Sequence, residues 1–110
     1  MAMIESALTG KQPSRLPYAS LADLRRAIQR RRLIRFHHRG AEVVTEPHLL
    51  GKGNRTGAYY VKCFGTGEEW TYYRFCEVRG LEETKDAFSP RRDVWDGERK
   101  IVELDTQARW

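Results

Sequence analysis

The chain is poor in cysteine, proline and long apolar stretches. Each shortage excludes something. No apolar run approaches the roughly 18–20 residues that a membrane-spanning helix needs. Met1 to Lys11 contains Glu5 and lacks a basic start followed by an apolar block, so no secretory leader is expected and a cytoplasmic location is. Two cysteines, Cys63 and Cys76, are too few for a disulfide scaffold. A hairpin turning at Gly65-Thr66-Gly67 sets Cys63 near Trp70, about 6 residues out of register with Cys76, or roughly 20 Å along a strand. A disulfide needs α-carbons within about 7 Å, so two buried free thiols are expected.

The motifs of catalysis are missing as well. Gly51-Lys52-Gly53 is too short for a phosphate loop and precedes no helix signal. No serine occupies a nucleophile-elbow context. His37, His38, His48 and the cysteines lack metal-ligand spacing, and the adjacent His37 and His38 point to opposite faces of a strand. Glu68 and Glu69 likewise point apart if extended. A binding module rather than an enzyme is expected, with no cofactor and no metal.

What the chain does have is arginine. There are 15 arginines against 5 lysines, within a net charge of +5. The charge is polarised, +8 over residues 1–62 and −3 over residues 63–110. Arginine's planar fork suits bidentate contact with phosphate, whereas a solvated face or head-to-tail self-association is the alternative use of such charge.

At 110 residues the chain fits one domain. Residues 1–19, with Gly10, Pro13 and Pro17, read as a flexible N-terminal segment. Ser20 caps a helix over residues 20–32, with Leu21, Leu24, Ala27 and Ile28 on one face and arginines late in the helix to suit its dipole. Five strands follow from alternation: Leu33–Arg39, Glu42–Leu50, Ala58–Phe64, Glu69–Cys76 and Val78–Thr84. Residues 51–57 form a loop. Phe36, Val44 and Ile28 should be buried. Ile101 to Asp105 alternates weakly, which fits an extra strand or a docking segment. Short strands at this spacing suggest a small barrel or sandwich.

Several motifs in order are more specific. Leu24-Arg25-Arg26-Ala27-Ile28 is followed by Thr45-Glu46-Pro47-His48-Leu49-Leu50, then Tyr59-Tyr60-Val61, then Tyr73-Arg74-Phe75-Cys76-Glu77-Val78, with Leu81 and Phe88 beyond. In order and spacing, residues 20–88 resemble the WYL domain. Tyr59-Tyr60-Val61 stands where that family has Trp-Tyr-Leu. Tyr73 to Val78 stands where it has Phe-Arg-Leu-Asp-Arg-Ile, with Cys76 in place of the acid and Glu77 in place of the second arginine.

The resemblance implies a mainly β fold, an SH3-like or Sm-like five-stranded antiparallel barrel with one N-terminal α-helix. Residues 89–110 would be a C-terminal extension packing on or extending the barrel. It also implies a ligand-sensing role in bacterial transcription regulation or defence, usually behind a helix-turn-helix. No room for one precedes Ser20, so a stand-alone form, a fragment or a partner subunit is expected. The expected ligand is anionic, single-stranded nucleic acid or a nucleotide, in a groove of Arg35, Arg39, His48, Tyr60 and Arg74, with Arg25 and Arg26 as outer phosphate contacts.

The residues read alone agree with a groove of cations beside aromatics. Trp70, Tyr72 and Arg74 share one strand face, as do Arg35 and Arg39 with Leu33 and His37. The plainer alternatives are core packing for the tyrosines, a salt bridge from Arg74 to Glu46, and a rim position for His48. A protein–protein or homodimer module, or docking on a partner regulatory protein, is the alternative function.

Overall fold

The computed structural model describes residues 16–53 and 57–110. Residues 1–15 of the expected N-terminal segment, and Asn54, Arg55 and Thr56 of the expected loop, lie outside the described residues.

Helix α1 spans Leu21–Arg30. The Ser20 hydroxyl accepts from the Asp23 backbone N–H at 3.2 Å, a cap on a helix whose first turn also carries the Asp23 charge. Leu24, Ala27 and Ile28 follow helical spacing and are buried. The helix stops at Arg31, which turns left-handed at φ 55° and gives its N–H to the carbonyls of Ala27 and Ile28.

Six strands follow: β1 (Arg32–His38), β2 (Ala41–Gly53), β3 (Tyr59–Gly65), β4 (Trp70–Arg74), β5 (Val78–Ala87) and β6 (Ile101–Gln107). They form one antiparallel sheet in the order β4-β3-β2-β1-β5, with β6 on β2. Among the described residues the protein is mainly β with one α-helix. Two features of the expected barrel are corrected. The described residues hold six strands, because the C-terminal alternation forms β6. The sheet is also not closed. A 3-10 turn, Phe75–Glu77, carries the chain from β4 to β5 without pairing those strands.

β2 organises the sheet. Its first part pairs with β1 (Ile34 with Thr45), and Leu49 to Gly53 pairs with β6. Its other side pairs with β3, with a register shift between Pro47 and Leu49. That bulge lets consecutive residues turn inward, and Pro47, His48, Leu49 and Leu50 are all buried. Gly51 is needed where β6 approaches: a Cβ there would lie 2.5 Å from the Ile101 side chain and 2.6 Å from the Glu103 carbonyl.

Two apolar clusters result. The larger joins Leu24 and Ile28 of α1 to Ile34, Phe36, Leu50, Val61 and Val78. Phe36 is fully buried, edge-on to Tyr73 with centroids 5.1 Å apart. Val44 is only half-buried, because neighbouring Val43 takes the inward side of β2. The smaller cluster lies on the opposite face of β3 and β4, where Leu49, Val94 and Ile101 pack with Tyr60, Trp70 and Tyr72. Residues 89–110 therefore both extend the sheet and pack on it.

The hairpin aligns Phe64 with Trp70 and Cys63 with Thr71, within one residue of the expected register. Both thiols are free. Cys63 is buried, but Cys76 is exposed because the 3-10 turn lifts it off the strand. Leu16 to Ala19 runs beside β5: Gly80 donates its N–H to the Pro17 carbonyl at 2.9 Å, and the Arg79 guanidinium lies 3.7 Å above the Tyr18 ring.

Candidate binding cleft on the aromatic face of β3 and β4

One face of the β3–β4 hairpin carries Tyr60, Lys62 and Phe64 against Arg74, Tyr72 and Trp70, paired across the ladder in that order. Alternation puts all six side chains on one side, and the other side (Val61, Cys63, Tyr73) enters the core. Aromatic rings and cations thus share a surface, as the sequence predicts.

Most of that surface is covered. Residues 91–101 cross it and place a carboxylate on Lys62 and another on the Trp70 indole. Lys62 Nζ donates to Glu98 at 2.8 Å in a pair that is 4% and 3% exposed. The Tyr72 hydroxyl donates to the same carboxylate, and the backbone N–H groups of Lys100 and Ile101 donate to its second oxygen at 2.9 and 2.8 Å. Burial pushes the Glu98 carboxyl up, yet Lys62, Tyr72 and the Ile101 N–H outweigh it and hold the group below its ordinary value. Trp70 Nε1 donates to Asp93 at 3.1 Å, and the Arg91 guanidinium stacks 3.7 Å over Phe64.

The uncovered end of the face opens into a cleft of about 260 Å3 lined by His38, Arg39, Tyr60, Tyr72, Arg74, Glu77 and Lys100. The Lys100 ammonium lies 4.8 Å from the Tyr60 ring centroid and 5.6 Å from that of Tyr72. The two rings therefore hold a cation, and their faces are not bare platforms. Glu77 takes bonds from Arg39 Nη2 at 3.3 Å and His38 Nε2 at 3.1 Å. The Arg39 bond, then the His38 bond, keeps its carboxyl below the ordinary value. Arg74 is exposed and has no ion pair or hydrogen bond among the described residues.

Of the predicted groove, the structure gathers Arg39, Tyr60 and Arg74. It does not gather the rest. Arg35 lies in a separate hollow with Leu16, Pro17, His37 and Leu81, between Glu42 at 3.4 Å and Glu82 at 3.3 Å. Arg35 and Arg39 part company because the chain leaves extended geometry at Arg39 (φ 52°) and Gly40 (φ 83°), which breaks the alternation. His48 is neither at the rim nor in the cleft. It is buried at the β2 bulge, with its ring between those of Trp70 and Phe88 at 5.0 and 4.6 Å, and it contacts Glu46 at 3.0 Å. Burial holds its imidazole below the ordinary value against the pull of Glu46.

Glu46 pairs with Arg91 at 3.0 and 3.1 Å, not with Arg74. The outer contacts are also engaged. Arg25 makes a two-pronged pair with Asp105 at 2.8 Å, and Arg26 bonds Asp23 at 2.9 Å and nears Glu83 at 3.5 Å. Lys62, Lys100 and Glu98 were missing from the sequence-based set. A lysine between Val61 and Cys63 in an apolar strand was the available signal for the first.

No helix among the described residues is long and apolar enough to cross a membrane. No group of three His, Cys, Asp or Glu side chains among them is placed to hold a metal ion. No protein-family model matches the chain, and no curated protein and no solved structure matches it either.

Proposed function

We propose that this chain is a cytoplasmic, non-catalytic regulatory module of the WYL type that binds an anionic ligand, single-stranded nucleic acid or a nucleotide, in the cleft beside Tyr60. A meander whose fifth strand returns to its first lacks only β4–β5 pairing to close, which supports reading the sheet as an opened SH3-like or Sm-like barrel. The observation that carries the binding role is Arg74. Arg25, Arg26, Arg35 and Arg39 each face a carboxylate within 4 Å. Among the described residues Arg74 faces none, and it shares its cleft with Lys100, whose ammonium lies there against aromatic rings. Unpaired cations held beside one another form a waiting anion site.

The test is fluorescence anisotropy with a labelled single-stranded oligonucleotide and with a labelled nucleotide at low salt. Arg74→Ala and Lys100→Ala should each weaken binding, and each should reduce the salt slope for the strand by about 0.7. Arg35→Ala should leave binding unchanged. Absence of binding by the native protein, or unchanged affinity in Arg74→Ala, overturns the proposal. A second reading, a self-associating or protein-docking module, is favoured by β6, which exposes Val102 (59%) and Leu104 (40%) on one face. Sedimentation velocity showing a dimer that Val102→Lys disrupts would favour it.

A further inference from the structure

Glu77 is the one anion in a cleft otherwise built for anions. Its neighbours there include three fixed cations, Arg39, Arg74 and Lys100. Its carboxylate is engaged by Arg39 and His38, which leaves Arg74 and Lys100 uncompensated. Glu77 therefore cuts the charge available to a ligand from three to two.

Shape sets a second limit. The cleft does not continue along the hairpin, because the Glu98 carboxylate occupies Lys62 and the Tyr72 hydroxyl at its inner end. At about 260 Å3 it falls just below the usual range for ligand pockets, roughly 300–1,000 Å3. A strand running through would need a groove open at both ends. A terminal group needs only an open hollow stopped at one end, which Glu98 provides here.

We infer that the cleft reads a single terminal phosphomonoester of a nucleotide, and that Glu77 is the specificity-determining residue that disfavours longer phosphate chains and internal phosphodiesters. This rests on the anion-binding reading above. A phosphomonoester carries about −1.5 to −2 near neutral pH, which matches two unpaired cations. An internal phosphodiester brings only one charge, and a triphosphate sets its extra charge against the Glu77 carboxylate. The same phosphomonoester occurs on a free nucleoside monophosphate and at the 5′ end of a strand.

The experiment titrates the full chain at low salt with adenosine monophosphate, adenosine triphosphate, and a short single-stranded oligonucleotide carrying either a 5′-phosphate or a 5′-hydroxyl. The expected result has the monophosphate or the 5′-phosphorylated strand binding about tenfold or more tighter than the 5′-hydroxyl strand, with the triphosphate no tighter than the monophosphate. Preference between those two ligands identifies the source of the phosphomonoester.

Glu77→Gln should raise triphosphate affinity about tenfold relative to monophosphate. Arg39→Gln, which frees the Glu77 charge, should shift the ratio the opposite way and serves if the first variant fails to fold. Equal binding of the 5′-hydroxyl and 5′-phosphorylated strands overturns the inference, as does an unchanged triphosphate-to-monophosphate ratio in a folded variant. A phosphoserine peptide that binds while every nucleotide is silent overturns the nucleotide assignment. If no phosphate ligand binds, the anion-binding reading fails and takes the inference with it. If ligands bind but the ratios do not move, the inference fails while the anion-binding reading stands.

Discussion

Removing the Glu98 charge should destabilise this protein more than most single substitutions. Glu98 and Lys62 are 3% and 4% exposed and 2.8 Å apart. Glu98→Gln keeps a carbonyl oxygen for the Lys100 and Ile101 amides, so it isolates the charge. It leaves the Lys62 ammonium buried with the Val94 carbonyl and the rings of Trp70 and Tyr72 as company. Stranding one member of a buried pair costs about 3–5 kcal/mol. That is a large share of a total that rarely exceeds about 15 kcal/mol. At roughly 4 °C per kcal/mol for a domain of this size, Tm should fall by about 12–20 °C. Lys62→Met should cost a comparable amount by stranding the carboxylate. The pair changed together removes both charges, and the double variant should return to within about 2 kcal/mol of the native protein, since burying a pair is itself expensive. Urea unfolding of all four proteins at pH 7 closes the cycle. Single losses under about 1 kcal/mol, or a double variant that loses the sum, would refute the account of Glu98 as the counter-charge of a desolvated lysine.

Other outcomes follow from the packing. Phe36→Ala should cost about 3–5 kcal/mol in chemical denaturation, because the ring is wholly buried. A thiol reagent should label Cys76 in the native state and Cys63 only after unfolding, and intact mass should show no bridge. The buried Cys63 thiol is pushed up well beyond its ordinary range, so raising the pH short of denaturation should not expose it to attack. The carboxyls of Glu46 and Glu98 are both held below 4.5 when folded, so the unfolded chain binds more protons in mild acid. Their contribution is fully present at neutral pH and should be lost as pH falls below about 4.5 through the folded values. A Tm profile flat from pH 7 to 3 would contradict it.

How much of this was legible depends on distance along the chain. α1 and the first five strands are local patterns, three-to-four spacing and then alternation, and their bounds fall close to those expected, except that β2 runs on through Gly51–Gly53 of the expected loop because β6 pairs with it there. The β3–β4 face was readable for the same reason, since Tyr60 and Arg74 meet through one short hairpin. The site failed where alternation failed. Arg39 leaves the strand in a left-handed turn, and His48 is swung inward by the bulge after Pro47. It also failed where contacts are remote. The partners of Lys62 and Arg25 lie 36 and 80 residues away, and no window of sequence shows a carboxylate arriving from a later segment. Barrel closure was not legible either, because it depends on whether the 3-10 turn at Phe75 brings two edge strands into bonding distance.

The seat that Gly51 provides for β6 has a bearing on the order of folding. β1–β2 and β3–β4 are hairpins whose partners are near neighbours, so they can form early. The β2–β6 ladder joins Gly51 to Leu104, and it cannot form until the intervening strands have assembled the surface on which β6 lies. Contacts of such separation carry the entropy of a long loop before they return any bonding. Residues 88–110, beyond β5, therefore behave as a late-closing foldon, one that can open while the central sheet persists. Amide protons of β6 should exchange ahead of those in β1 and β3, and the aromatic face of the hairpin would be bared in those moments.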